Sequence, residues 1–313
     1  MDRRLAPGVE QIDTLLGGWE GVNSVFLVSA ERPCLVETGP QRDAGRVIAA
    51  LQRRGVGPED LAWIVLSHIH LDHGGGVGEL AAHFPRAQVV CHPRGLRHLA
   101  SPERLVEAAS RVYGERMDSL YGGMTPVAEE RLHGAEDGQA LDLGGGRSLL
   151  LIYSPGHAKH HLGVLEQETG VLMVGDAVGV QLPAGGRLRP ATPPDDFELD
   201  QALHSLGRFR ELGSRKLVLT HFGEVGEPAQ VLDEAQEELR RWCGIAERAY
   251  MRSPTRESIA AALRDEFESE DQVLPQAEVL NGIESNAAGL HGWLLRQDQA
   301  RRTRSTAPSQ GPG

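Results

Sequence analysis

Apolar residues in the first two-thirds of the chain come in short runs separated by polar or glycine-rich turns. Residues 24–39, SVFLVSAERPCLVETG, carry two such runs around the polar turn AERP and predict a pair of strands. At 44–55, AGRVIAALQRRG repeats its apolar positions at helical spacing and stops at a glycine. LAWIVLSH at 61–68 is apolar without a break, as a strand buried on both faces requires. A short helix pattern at 77–84 and another strand at 87–93 follow. Alternating strands and helices of this kind make an α/β layer.

Residues 101–124 look helical after a Ser-Pro start and interrupt the strand rhythm, as an insertion would. Tyr113, Met117, Tyr121 and Met124 fall there at spacings of three to four. They fit either core packing of that helix or the lining of a substrate pocket. Strand signals return at 148–156, at 162–176 (a hairpin about QETG) and at 216–223. A Pro-rich loop at 183–194 and a helix at 200–212 lie between them.

After residue 226 the pattern is helical throughout. The expected organisation is a domain over 1–225, a helical appendage over 226–300 and a disordered tail over 301–313. Trp242 and Trp293 in the appendage are expected as core or dimer contacts.

The charge balance changes the picture mainly by exclusion. The chain of 313 residues has a formal net charge of −12. Residues 223–300 hold 16 acidic and 7 basic residues, a net of −9. A nucleic-acid binder needs a basic footprint, and the one basic run is RRTR at 301–304. The three cysteines, Cys34, Cys91 and Cys243, are widely spaced and odd in number, which fits a reducing compartment. No apolar h-region opens the chain and no segment approaches 18 apolar residues. A cytoplasmic protein with no membrane partner is expected.

The candidate chemistry lies just after the apolar run at 61–68. LSHIHLDHGGG, residues 66–76, holds His68, His70, Asp72 and His73. On an extended segment His68 and His70 point to the same side. Three further candidates follow apolar strands and precede small-residue turns: His157 in SPGHAKHH, Asp176 in LMVGDAV and His221 in LVLTHFG. Strand ends along one edge of a sheet are where α/β proteins assemble sites. Imidazole and carboxylate suit zinc, iron or manganese. Seven ligands are too many for one tetrahedral ion and enough for two ions that share a carboxylate.

The ordered set HIHLDH, PGH, GD and TH resembles the metallo-β-lactamase-fold hydrolase superfamily over roughly residues 5–225. The resemblance implies an αββα sandwich, here with the C-terminal helical appendage. It implies one metal held by His68, His70 and His157, a second held by Asp72, His73 and His221, and Asp176 bridging them. The cofactor would be two divalent ions, zinc first, with manganese or iron as alternatives. True β-lactamases commonly carry a cysteine where this chain has Asp176, so the lactonase, glyoxalase II-like and phosphodiesterase branches are nearer. Members usually place Asp-x-Gly on an early strand, whereas this chain has Glu37 in ETG.

The implied activity is hydrolysis of an ester, thioester, lactone or phosphoester by water activated between the cations. Asp72 is expected to orient that water, and His160 and His161 to donate a proton or to support the ligands. The alternative on this fold is an iron-dependent oxidoreductase, persulfide dioxygenase-like or diiron. The complete second ligand set favours hydrolysis. The expected partner is a small-molecule substrate, with Lys159 hinting at an anionic one. The C-terminal helices are expected to form a homodimer or to cap the pocket.

Overall fold

In the computed structural model, which describes residues 2–182, 186–267 and 280–306, two β-sheets pack face to face with helices on both outer sides. The first sheet takes its strands in chain order: β1 (Arg3–Ala6), β2 (Val9–Asp13), β3 (Ser24–Val28), β4 (Cys34–Val36), β5 (Trp63–Val65), β6 (Gln88–Cys91) and β7 (Leu132–Gly134). Pairing is antiparallel up to β4 and parallel from β4 to β7. Parallel neighbours need crossovers, and helices supply them. Helix α1 (Ala44–Arg53) joins β4 to β5, and α2 (Leu71–Gly74) with α3 (Val77–His83) joins β5 to β6. The insertion, built of α4 (Leu96–Ala100), α5 (Glu103–Tyr113) and α6 (Met117–Leu120), joins β6 to β7.

The second sheet contains β8 (Gln139–Gly144), β9 (Arg147–Tyr153), β10 (Leu162–Glu166), β11 (Val171–Met173), β12 (Lys216–Leu219) and β13 (Gly223–Glu224), ordered β13-β12-β11-β10-β9-β8. Its one parallel pair, β11 with β12, is bridged by α7 (Leu199–Glu211). Three more helices follow: α8 (Pro228–Arg252), α9 (Arg256–Phe267) and α10 (Ile283–Thr306).

Both faces of the central strands are apolar, which explains their unbroken hydrophobic runs. Along β3, Val25 and Leu27 join the cluster under α1 and α3, while Phe26 and Val28 point between the sheets. Leu35 on β4 faces the helices, and Cys34 and Val36 face the other sheet. On β12, Leu217 and Leu219 face α7 and α8, whereas Val218 faces inward. Each such side chain fully buried contributes about 1.5–3 kcal/mol.

The last three helices form the outer layer of the sandwich itself. Trp242, Leu263, Phe267, Leu290 and Trp293 share one core with Leu172, Leu217 and Leu219 of the second sheet. The Trp242 ring stacks on Phe267 at 4.8 Å, and Trp293 meets Phe197 edge-on at 6.0 Å. Helix α10 continues through Thr306, past the expected helix end at 300 and into the segment expected to be disordered. The rest of that tail, 307–313, and residues 183–185 of the Pro-rich loop lie outside the described residues. Among the described residues no helix is long and apolar enough to cross a membrane.

Candidate metal centre

The ligand-type residues leave the C-terminal ends of β5, β9, β11 and β12. Strands β9 and β11 both run antiparallel to β10, and β12 runs parallel to β11, so their ends share one edge. His68 and His70 stand on the extended stretch after β5, with His68 Nε2 and His70 Nδ1 2.9 Å apart. His157 Nε2 comes within 3.1 Å of His70 Nδ1. The turn of α2 swings Asp72 and His73 the other way. There His221 Nε2 lies 3.3 Å, and His73 Nε2 3.8 Å, from Asp72 Oδ2.

Asp176 sits between these groups. Its Oδ1 is 3.2 Å from His73 Nε2 and 3.7 Å from His221 Nε2, and its Oδ2 is 3.7 Å from His157 Nε2. The structure thus brings all seven sequence-derived ligands together. They form two three-residue groups, His68/His70/His157 and Asp72/His73/His221, each with donor atoms within 4.8 Å of one another.

This donor set fits divalent cations. His73 Nε2 and Asp176 Oδ1 are buried without a hydrogen-bond partner, a state that costs about 1–3 kcal/mol per group unless something fills it. Burial and the neighbouring histidines hold His68 well below its usual value, and burial with His157 pushes His70 down to about 4. Both are therefore neutral, the ligating form, near pH 7. Burial would raise Asp72, but His73 and His221 hold it down at about 2. His73 moves upward, because Asp176, Asp72 and Glu37 together outweigh its burial. The three carboxylates call for positive charge at that point, which a cation would supply.

Four of the five histidines are braced at Nδ1 and aim Nε2 inward, as metal-ligating imidazoles do. His157 donates to the Ala191 carbonyl at 3.0 Å and His221 to the Val22 carbonyl at 2.8 Å. His73 Nδ1 lies 3.1 Å from Glu37 Oε1. Ser67 Oγ donates to Glu37 and receives His68 Nδ1 at 2.9 Å. One carboxylate, Glu37, therefore steadies a histidine from each group. Its backbone is left-handed (φ 66°), a conformation that costs about 1–3 kcal/mol and places the longer side chain beside His73. The extra methylene relative to the usual aspartate is accommodated.

His161 stands behind Asp176. Its Nε2 accepts the Asp176 N–H at 3.2 Å and its Nδ1 donates to Ser154 Oγ at 2.8 Å. It is fully buried, does not line the cavity and holds the Asp176 backbone in place. His160 also stays out of the cavity lining. Its Nε2 lies 3.8 Å from Asp196 Oδ2, and burial and His70 push it down to about 3. Of the three residues expected to be catalytic, Asp72 alone reaches the cavity. Gly175 is required beside this brace: its φ is +50°, and a Cβ there would come 2.6 Å from His161 Nε2 and 2.7 Å from Ser67 Oγ.

The C-terminal helical layer also reaches the site. Asn286 Oδ1 accepts from Thr192 N at 2.8 Å and from Thr192 Oγ1 at 2.7 Å. Asn286 Nδ2 donates to Asn281 Oδ1 at 2.7 Å, and Asn281 Nδ2 donates to the Pro190 carbonyl at 3.0 Å. The loop so clamped carries the Ala191 carbonyl that holds His157. No local sequence signal marks Asn286, Ser67 or Ser154, because their partners are distant backbone groups or common loop residues.

His70, Asp72, His157, Asp176 and His221 form the floor of a cavity of about 270 Å³. Its walls are one face of α5, Tyr113, Tyr121, the loop at 191–195 and the chain entering α10. Tyr113 and Tyr121 meet at 4.8 Å, and burial lifts both phenols, Tyr113 to about 12, so both stay protonated. Met117 and Met124 pack in the core under the first sheet. Lys159 Nζ is 3.0 Å from Asp196 Oδ1 and does not line the cavity.

Residues 17–221 match the metallo-β-lactamase superfamily. The chain is 33% identical over 171 residues to the metallo-β-lactamase fold-containing protein ST1585 of Sulfurisphaera tokodaii, a stretch that spans 53% of this chain and 62% of that protein. The crystal structure of ST1585 aligns with a TM-score of 0.65 at 25% identity, covering 90% of this chain and 98% of the other. A hydroxyacylglutathione hydrolase of Aeromonas hydrophila is 30% identical over 172 residues, 55% of this chain and 52% of that enzyme. The N-acyl homoserine lactonase AttM of Azorhizobium caulinodans is 28% identical over 145 residues, 46% of each chain. The matches thus span about half to three-fifths of these curated relatives. With the family match covering most of the sandwich and the ligand set converging at one strand edge, the chain belongs to the metallo-β-lactamase superfamily.

Proposed function

We propose that the protein is a metal-dependent hydrolase with a dinuclear centre that cleaves a carboxylic ester, thioester or lactone. The observation that carries this reading is Asp176, whose two oxygens face two separate and complete three-ligand groups. When bound, two divalent ions supply Lewis acidity and lower the pKa of a water toward neutrality. The residues of the chain do the rest. Asp72 lines the cavity beside His221 and orients the attacking water. Water oxygen bonds to the acyl carbon, the bond to the leaving group breaks, and the leaving oxygen or sulfur departs with a proton.

Tyr113 and Tyr121, protonated donors on the cavity wall, are placed to hydrogen-bond oxygen atoms of the substrate. The relatives named as a hydrolase and a lactonase support bond hydrolysis. Among the described residues lining the cavity there is no lysine or arginine, so a carboxylic ester is favoured over a phosphoester and an uncharged substrate over an anionic one. The test is turnover of thioesters, lactones and phosphodiesters by wild type and Asp72→Ala, with metal content measured on both. Carboxylic ester turnover that Asp72→Ala loses is the expected result. Full turnover in the variant, or phosphodiesters alone as substrates, overturns the reading.

A further inference from the structure

Helix α5 places an apolar stripe where a core helix would be buried, yet none of its residues is fully buried. Leu105, Ala108, Ala109 and Val112 recur at helical spacing, and all four line the cavity above the ligands. Val112 is 61% exposed, although large apolar side chains are normally covered. Leu280 faces the same space from the C-terminal layer. The cavity is therefore two-ended, with the ligands of the metal centre on one side and a wall of carbon on the other. The ionisable carboxylates around it are Asp72, Asp176 and Asp195, which a polyanionic substrate portion would meet unfavourably.

We propose that the α5 stripe and Leu280 form the binding wall for the aliphatic acyl chain of the substrate, so that the protein selects esters, thioesters or lactones of medium-length acyl groups. This rests on the hydrolase function proposed above and names its substrate class. The chain lies along α5 with its carbonyl carbon at the candidate ligands; an ester or thioester yields the fatty acid and an alcohol or thiol, and a lactone yields the hydroxy acid. The volume, about 270 Å³, sits just below the usual range for small-molecule pockets, which limits the chain to medium length. Ala108 and Ala109 keep the wall open, and larger side chains there fill the space the acyl chain needs.

The test is calorimetric titration of the metal-loaded protein with linear carboxylates from acetate to decanoate. Affinity is expected to rise about fourfold per methylene until the cavity is full. Ala109→Trp is expected to flatten the series while keeping metal content. Val112→Asp, at an exposed position, is expected to weaken the longer acids selectively and guards against a misfolded Trp variant. A flat series in wild type, or an undiminished slope in both variants, overturns the proposal. Parallel assays of acetyl esters separate the two ideas. Acetyl ester turnover with a flat series defeats the acyl wall alone. A rising series without turnover of any ester supports the wall and defeats the hydrolase function.

Discussion

Replacing Asn286 with alanine probes the link between the C-terminal helices and the metal ligand His157. Asn286 and Thr192 are each 1% exposed, so water cannot take over the hydrogen bonds that disappear. The substitution strands the Thr192 N–H, now bonded at 2.8 Å, and Asn281 Oδ1, now bonded at 2.7 Å. Each unsatisfied buried group costs about 1–3 kcal/mol. The Thr192 hydroxyl retains the Asn286 carbonyl at 3.2 Å, which keeps part of the clamp. A loss of about 3 kcal/mol follows, or roughly a 5 °C fall in unfolding midpoint for a protein of this size. Loosening the loop also frees the Ala191 carbonyl from His157 Nδ1, 3.0 Å away. Losing such a brace outright weakens metal affinity about 10–100-fold, so a loosened one should sit near tenfold. Thermal unfolding of the apo protein and chelator competition on the loaded protein read the two effects separately. A stability loss with no change in metal affinity would refute the positioning of His157, and no stability loss would refute the clamp itself.

Other substitutions test the remaining braces. Gly175→Ala should destabilise by about 2 kcal/mol or more and reduce metal retention, because its Cβ would displace His161 or Ser67 beside Asp176. Unchanged denaturant midpoint and metal content would contradict this. Glu37→Gln preserves length but removes the charge facing His73 Nδ1, and should weaken binding at the Asp72/His73/His221 group about tenfold in a chelator titration. Equal affinity would show that Glu37 does not support that group. Cys34, Cys91 and Cys243 are buried thiols, with burial lifting Cys91 to about 12 and the other two higher. None should react with a thiol reagent faster than the protein unfolds, and rapid labelling would contradict the packing.

The central layers were legible because strands buried on both faces must be apolar at every position, as 61–66 is. In β2 the buried polar residues Gln11 and Asp13 break the apolar run, while strands β1, β7 and β8 escaped for the opposite reason. Exposed edge positions such as Arg3, Arg4, His133 and Asp142 break the hydrophobic signal, and these strands are recognisable only through their partners. All seven candidate ligands were readable, since metal sites at strand ends draw on a few residue types followed by tight turns. Of the positioning residues, Glu37 and His161 were named from the sequence, and Ser67, Ser154 and Asn286 were not. For His161 the sequence left proton donation and ligand support open, and its hydrogen bond to the Asp176 N–H fits support. Asn286 is 94 positions from Thr192, and a backbone carbonyl such as that of Ala191 has no sequence signature at all. The C-terminal helices read as an appendage because helical periodicity does not say which sheet a helix covers, and their shared core with Leu172 and Leu217 appears only in three dimensions.

The most direct measurement is metal content by elemental analysis on protein purified without added metal, comparing wild type with His73→Ala. His73 stands with Asp72 and His221, 3.2 Å from the oxygen of Asp176 that faces them, and is absent from the His68/His70/His157 group. About two zinc or manganese ions per chain, falling to about one in the variant, is the result expected of a dinuclear centre. About one iron per chain in both proteins would contradict the second site and move the chemistry from hydrolysis to oxidation.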